Sequence, residues 1–202
     1  MIERPASADA PPSGDFDSQL RIVEELDTPD GYKAELIRGK IVVSPWSKLR
    51  HLLPMRSLRM QLEPHAPKGH IADIAPFLFR MPDQERGFGP DLYVADAGAF
   101  DTDGRHADGE ALSLVAEPTS VSTEDADRQD KLEVYGRQVP VHLVLDMQGE
   151  EITAFWDPSP KGYQSRTTVP FGKPLHVPAP FDFDLDTAGF TPPPAEQESP
   201  RP

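Results

Sequence analysis

The sequence predicts an α/β fold: a mixed central sheet carrying two helices, with an added antiparallel C-terminal part. Three observations predict it. Apolar residues recur at helical spacing in only a few stretches, above all between Lys48 and Leu62. Short runs rich in β-branched and aromatic residues stand between them, and one, Ala111–Glu117, is apolar except for Ser113 until it reaches an acid, as expected of a buried strand. The 24 prolines each remove a backbone donor and fix φ, which speaks against an all-helical chain.

The elements follow in order. Leu20, Val23 and Leu26 are spaced for a short helix that Pro29 and Gly31 end. Tyr32–Ile37 and Lys40–Val43 flank Arg38-Gly39, a two-residue turn signal, so a hairpin is expected with Glu35 in its first strand. Leu49, Leu52, Met55, Leu58 and Leu62 predict a helix over 48–62, with Pro54 tolerated near its first turn and His51 near its start. Two or three strands are expected from His70–Arg80 and from Leu92–Ala95, the latter opened by Pro90-Asp91; Gly87-Phe88-Gly89 reads as a loop. After the buried strand to Glu117, Ser122 or Thr123 precedes Glu124, Asp125 and Asp127, acids that favour a helix start, and the helix is expected to reach about Gln138. Val141–Met147 is a further apolar strand, Glu151–Asp157 and Tyr163–Pro170 a hairpin, and Phe181, Phe183 and Leu185 alternate with acids in a closing strand whose wet side carries Asp182, Asp184 and Asp186.

Residues 1–17 and 191–202 combine Pro, Ser and charge without apolar periodicity, so both are expected to be disordered tails around one folded unit at 18–190. No run approaches the roughly 18 apolar residues of a membrane span, and residues 1–17 hold no apolar segment behind a basic one, so a cytoplasmic location without membrane contact is the expectation. The absence of cysteine excludes disulfides, thiolate metal sites and a cysteine nucleophile. A formal net charge of -14 is opposite to the footprint of a protein that grips phosphates over its whole surface. Zincin, P-loop, nucleophile-elbow and paired dinucleotide motifs are missing, and His65, His70, His106, His142 and His176 show no ligand spacing. A glycosidase could use two carboxylates but is poorly served by two tryptophans, Trp46 and Trp156.

Four chemical elements remain: Glu35 on a hairpin strand, Asp91 opening a strand, Glu117 ending a buried strand, and Lys131 on the next helix. Their order, from ELIRGKIVVSP and His51 through PDLYVAD and LVAEPTSVST to Asp127, Lys131 and Tyr135 and then VPVHLVLD, resembles the Uma2 family within the PD-(D/E)xK nuclease superfamily, over about 20–190. The resemblance implies a restriction-endonuclease-like sheet and a DNA endonuclease. It also implies that the site lysine stands on the helix at Lys131, since Thr119 occupies the usual slot two residues after Glu117. Pro118 replaces an aliphatic residue and is expected to bend the strand beside Glu117, because proline cannot donate a ladder bond. Val121 stands where a proline is common in the family, which affects the same loop.

Phosphodiester hydrolysis needs neutralised phosphate charge and hydroxide near neutral pH, and a divalent cation on carboxylates supplies both. Asp91 and Glu117, with Glu35 as a third or outer ligand, suit Mg²⁺ or Mn²⁺, while Lys131 would orient water or stabilise developing charge. Asp127, Lys131 and Tyr135 drift only about 40° per step around one helix face. His51, Thr119, Asp127 and Tyr135 are weaker substrate-side or outer candidates. Each residue also has a plain reading: Lys131 pairing with Asp127 on a wet helix face, Glu35 as a cross-strand surface residue, Asp91 as a turn residue, Tyr135 as packing. At the level of the whole chain the alternatives are an inactive nuclease-fold binding module, or an acidic subunit completed by a homodimer or a basic protein partner. An active monomer is expected to show a local basic rim from residues such as Lys48, Arg50, Arg56, Arg59 and Arg128.

Overall fold

The computed structural model describes residues 16–45, 51–74, 76–119 and 125–191, with backbone alone over 125–128. It is a mixed α/β protein in which two sheets share the strands. The first sheet has the order β2-β1-β5-β4-β7, built from β1 (Tyr32–Ile37), β2 (Lys40–Pro45), β4 (Leu78–Met81), β5 (Arg86–Phe88) and β7 (His106–Asp108). The second has the order β11-β10-β9-β8-β6-β3, from β3 (His70–Asp73), β6 (Leu92–Asp96), β8 (Leu112–Thr119), β9 (Val141–Asp146), β10 (Glu151–Trp156) and β11 (Ser165–Pro170). A small pair, β12 (Leu175–Val177) and β13 (Phe183–Leu185), completes the C-terminal part. Among the described residues three α-helices accompany them: α1 (Phe16–Glu25), α2 (Leu52–Leu62) and α3 (Asp125–Tyr135).

The hairpin forms as its turn demands. Arg38 and Gly39 both have positive φ, 51° and 68°, the conformation that matches the twist of two strands joined by two residues. The β8–α3–β9 segment is a strand, crossover helix and parallel strand, with Glu117 opposite Val144. Strand alternation then sorts the second sheet into two faces. Leu114 and Ala116 of β8, Leu92 and Val94 of β6, and Leu143 and Leu145 of β9 join Met55, Leu58 and Leu62 of α2 and the β12–β13 residues in one core. Val115 and Tyr93 turn to the other face, where Phe79 and Phe88 of the first sheet meet Val134 and Tyr135 of α3. The carboxylate end of β8 belongs to this second layer.

Several expectations are corrected here. The strands do not form a single central sheet, because the N-terminal hairpin pairs with β5 and closes over one face of the other sheet. Gly87-Phe88-Gly89 is not a loop throughout: Arg86–Phe88 is strand β5, and Gly87 is a point of close approach, since a Cβ there would lie 2.7 Å from the Leu20 side chain. β7 falls inside the polar, glycine-containing stretch 101–110, and α1 begins at Phe16, inside the expected tail. Pro118 does not end β8. Thr119 O accepts from Met147 N, so alternation turns the Pro118 main chain toward β6, past the last pair Leu92↔Ala116 where no donor is needed. Residues 48–50 of the second expected helix, the loop cap at Ser122 or Thr123 and Val121 lie outside the described residues. Among the described residues no helix is long and apolar enough to cross a membrane.

α3 ends where the chain passes the β10–β11 connection. A Cβ on Gly136 would lie 2.8 Å from both Leu132 O and Tyr163 N. Replacing Gly136 with alanine is therefore expected to cost about 2 kcal/mol of stability, read as a lower urea midpoint with an unchanged slope. An unaltered midpoint would show that this contact does not fix the helix end.

Candidate active site

The register of β6 against β8 builds the first half of the site. Leu92 pairs with Ala116 and Tyr93 with Val115, so the residue before Leu92, Asp91, comes opposite Glu117 at the same sheet end. The second half descends from the other layer. β1 presents Lys33 and Glu35 from one strand face, and α3 turns Asp130, Lys131, Val134 and Tyr135 inward. These residues repeat at i, i+4, so the polar pair continues the apolar stripe of the same helix. One side of α3 thus buries charge and hydrocarbon together.

Lys131 joins the two layers. Its Nζ lies 2.9 Å from Glu117 Oε1 and 3.0 Å from Glu35 Oε1, and 5.6 Å from the centre of the Phe88 ring. Glu35 also accepts from Gly89 N at 2.8 Å. Lys33 Nζ donates to Gly89 O at 2.7 Å and stands 3.9 Å from Asp91 Oδ1 and 4.0 Å from Glu35 Oε2. Both main-chain groups of Gly89 are therefore tied to β1, which fixes the short Gly89-Pro90-Asp91 connection. Burial alone would push the Glu35 carboxyl up, but the charges of Lys131 and Lys33 and the Gly89 N–H together outweigh it and hold Glu35 below its ordinary value.

Around this centre lie three further groups. Glu117 Oε2 is 4.0 Å from Nε2 of His142, a buried residue of β9. Tyr135 packs edge-on against both Phe88 and His142, and its hydroxyl has no hydrogen-bond partner among the described residues. Burial, reinforced by the Glu117 charge, pushes this phenol well above its ordinary value, so it stays protonated and does not serve as a base. Asp130, beside Lys131, receives Arg38 Nε at 2.5 Å and Arg86 Nε at 2.9 Å. Burial opposes its charge, yet the two arginines hold it below the usual carboxylate range. This cluster pins α3 to the hairpin turn and to β5, and with it the position of Lys131.

The structure thus brings together Glu35, Asp91, Glu117, Lys131 and Tyr135. Lys131 spans two buried carboxylates, which is not the wet-face role of its plain reading; the Asp127 side chain lies outside the described residues. Thr119 is half-buried and donates its hydroxyl to Leu145 O at 3.4 Å, within the sheet. His51 is buried at the N-terminus of α2, a helix packed on the opposite face of the second sheet. Of the expected basic rim, Arg59 engages Glu63, Asp73 and Ala72 O on that other side, Arg56 is exposed on α2, and the Lys48, Arg50 and Arg128 side chains are outside the described residues. The sequence reading missed Lys33, Asp130 and His142. Lys33 was visible as the same-face neighbour of Glu35, two residues before it, and His142 as the polar interruption of VHLVLD.

Among the described residues no group of three or more His, Asp and Glu side chains is placed to hold a metal ion by itself. The donors nevertheless suit a hard cation, since Mg²⁺ is commonly held by one or two carboxylates with water and substrate phosphate completing its shell. Asp91 and Glu117 are the accessible pair, 15% and 12% exposed at their side chains, against 1% for Glu35. Glu35 faces Lys131 and Gly89 and lies outside that pair.

A pH dependence follows from Glu35. Its folded pKa lies below the ordinary 4.5, so as pH falls the unfolded chain takes up the proton first. The stability that its ionised form contributes is whole above about pH 4.5 and is lost as pH falls through the folded value. Denaturant melts from about pH 6 to about pH 3 should show wild type losing more stability than Glu35→Gln. Parallel losses in the two proteins would contradict the clamped carboxylate.

No curated protein matches the chain. Among solved structures, one described as "a putative nuclease belonging to DUF820" from Anabaena variabilis superposes with a TM-score of 0.64 over 87% of this chain and 96% of that one, at 15% identity, which shows a shared fold. The family model that matches is Uma2, described as "Putative restriction endonuclease", over residues 19–188. That match spans both sheets, α3 and every carboxylate of the site, and the chain belongs to the Uma2 family.

Proposed function

We propose that this protein is a metal-dependent phosphodiester hydrolase, a DNA endonuclease of the reducing cytoplasm, in which Asp91 and Glu117 hold Mg²⁺ or Mn²⁺ and Lys131 assists. The carrying observation is the Lys131 ammonium within 3.0 Å of both Glu35 and Glu117, at the sheet end where the register sets Asp91 against Glu117. Three carboxylates against two ammonium groups leave one formal negative charge for a cation to meet.

A bound divalent ion neutralises phosphate charge and makes hydroxide available near neutral pH. The chain's own residues set the stage for it. Glu35 holds Lys131 in place at 3.0 Å, so the ammonium does not have to be ordered when substrate arrives. The Lys131 ammonium stands beside Glu117 and stabilises negative charge that develops on the phosphoryl group. Lys33 fixes the Asp91 connection, and Phe88 and Tyr135 exclude water from behind the lysine. The global charge of -14 makes non-specific capture of DNA weak, so grip on the substrate belongs to local groups, to a homodimer or to a basic partner. That same acidity is the observation favouring the second reading, an inactive nuclease-fold interaction module.

Cleavage of single- and double-stranded DNA with Mg²⁺ or Mn²⁺ separates the two. Asp91→Ala and Glu117→Ala are expected to abolish cleavage while remaining folded by thermal melts, and Lys131→Met to lower kcat by about 10²–10⁴-fold. Wild type at the background of these variants, with no calorimetric metal uptake that depends on Asp91, would leave the interaction module standing.

A further inference from the structure

We propose that a hollow beside α3 is a nucleotide subsite that seats one unpaired base of the DNA strand, a reading that rests on the proposed nuclease function. The hollow has a volume of about 370 Å³ and lies between the outer side of α3 and the β10–β11 hairpin. That is the lower end of the size range of small-molecule sites.

Its placement comes from strand register. His142 of β9 pairs with Phe155 of β10, and Phe155 pairs with Arg166 of β11, so the three form one row across the sheet. Cross-strand partners point to the same face, and His142 approaches Glu117, so this is the face that carries the carboxylates. Arg166 stands three strand spacings from β8, about 14 Å from the strand that bears Glu117. A strand whose scissile phosphate lies at the carboxylates would reach the hollow within a few nucleotides.

The walls have the composition that a base and its phosphate require. Phe155 and Tyr163 are half-buried, with ring centroids 6.1 Å apart and a 34° tilt, and they supply an aromatic floor. Every base has a π-face, so such a floor takes any base by stacking. Gln164 is held by two hydrogen bonds from its Nε2, to Ser159 Oγ at 2.8 Å and Gly162 O at 2.9 Å, which leaves its side-chain carbonyl as a fixed acceptor. Lys161 and Arg166 stand at the rim, and among the described residues neither forms an ion pair. The one carboxylate on the wall, Glu133, is already matched by Arg137 Nη2 at 2.6 Å. In a chain of net charge -14, a lining of two cations and one neutralised acid is locally attractive to phosphate.

The test uses the full chain in chelator, so that binding is read without cleavage, and a fluorescein-labelled 12-nucleotide single-stranded DNA as probe. Wild type should bind the intact strand, and about tenfold less tightly when one abasic nucleotide occupies the subsite position in a scan along the strand. Lys161→Ala/Arg166→Ala, both exposed, should weaken intact-strand binding about tenfold. Phe155→Leu, checked by thermal melt, should erase the difference between abasic and intact strands. Equal binding of intact and abasic strands at every position, or wild-type binding by the double variant, would overturn the subsite. Saturation of wild type by a free deoxynucleoside monophosphate as tightly as by the strand would also overturn it, by assigning the hollow to a free nucleotide. Cleavage assays with Mn²⁺ keep the two readings apart: abasic-sensitive binding without cleavage leaves the subsite and removes the nuclease, whereas cleavage without abasic sensitivity does the reverse.

Discussion

The ammonium of Lys131 between Glu35 and Glu117 is the contact on which the site depends. Buried carboxylates are costly unless paired and hydrogen-bonded, and Glu35 is buried almost completely. One lysine supports two acids from different sheets, so the hairpin layer, the six-stranded sheet and α3 are held in mutual register by a single group. Asp130 with Arg38 and Arg86 repeats the device one residue away and locks the helix that delivers the lysine. Ion pairs of this kind contribute little net stability, but removing one partner strands the other charge. The arrangement therefore buys geometry more than it adds stability.

That geometry divides the carboxylates by role. Glu35 is spent on Lys131 and Gly89 N, while Asp91 and Glu117 keep partial access to solvent at the end of β6 and β8. Under the proposed function, the inner acid fixes the lysine and the outer pair would hold the cation, three similar side chains serving two roles. The division arises from depth in the fold, since the residues do not differ in chemistry. Aromatic packing by Phe88 and Tyr135 behind the lysine keeps the inner part dry.

Much of this was legible in the sequence, for identifiable reasons. The hairpin was encoded in Arg38-Gly39, the strand to Glu117 in its unbroken apolar run, and the shared face of Lys131 and Tyr135 in helical spacing. The division into two sheets was not legible, because it depends on β5, a three-residue strand whose Gly87 reads as a loop and serves as a site of close packing. Lys33, Asp130 and His142 escaped notice for a related reason. Each resembles an ordinary surface or core residue until long-range pairing places it beside an opposite charge. Pro118 shows the converse: a rule about strands predicted a bend, and the end of pairing with β6 makes the missing donor harmless.

The most direct test of this division of roles is the anomalous diffraction of Mn²⁺ in crystals of the wild-type protein. The account predicts one ion bound through oxygens of Asp91 and Glu117, with Lys131 still seated against Glu35. An ion coordinated by Glu35 with Lys131 displaced, or Mn²⁺-dependent cleavage from crystals that hold no ion at these carboxylates, would contradict it.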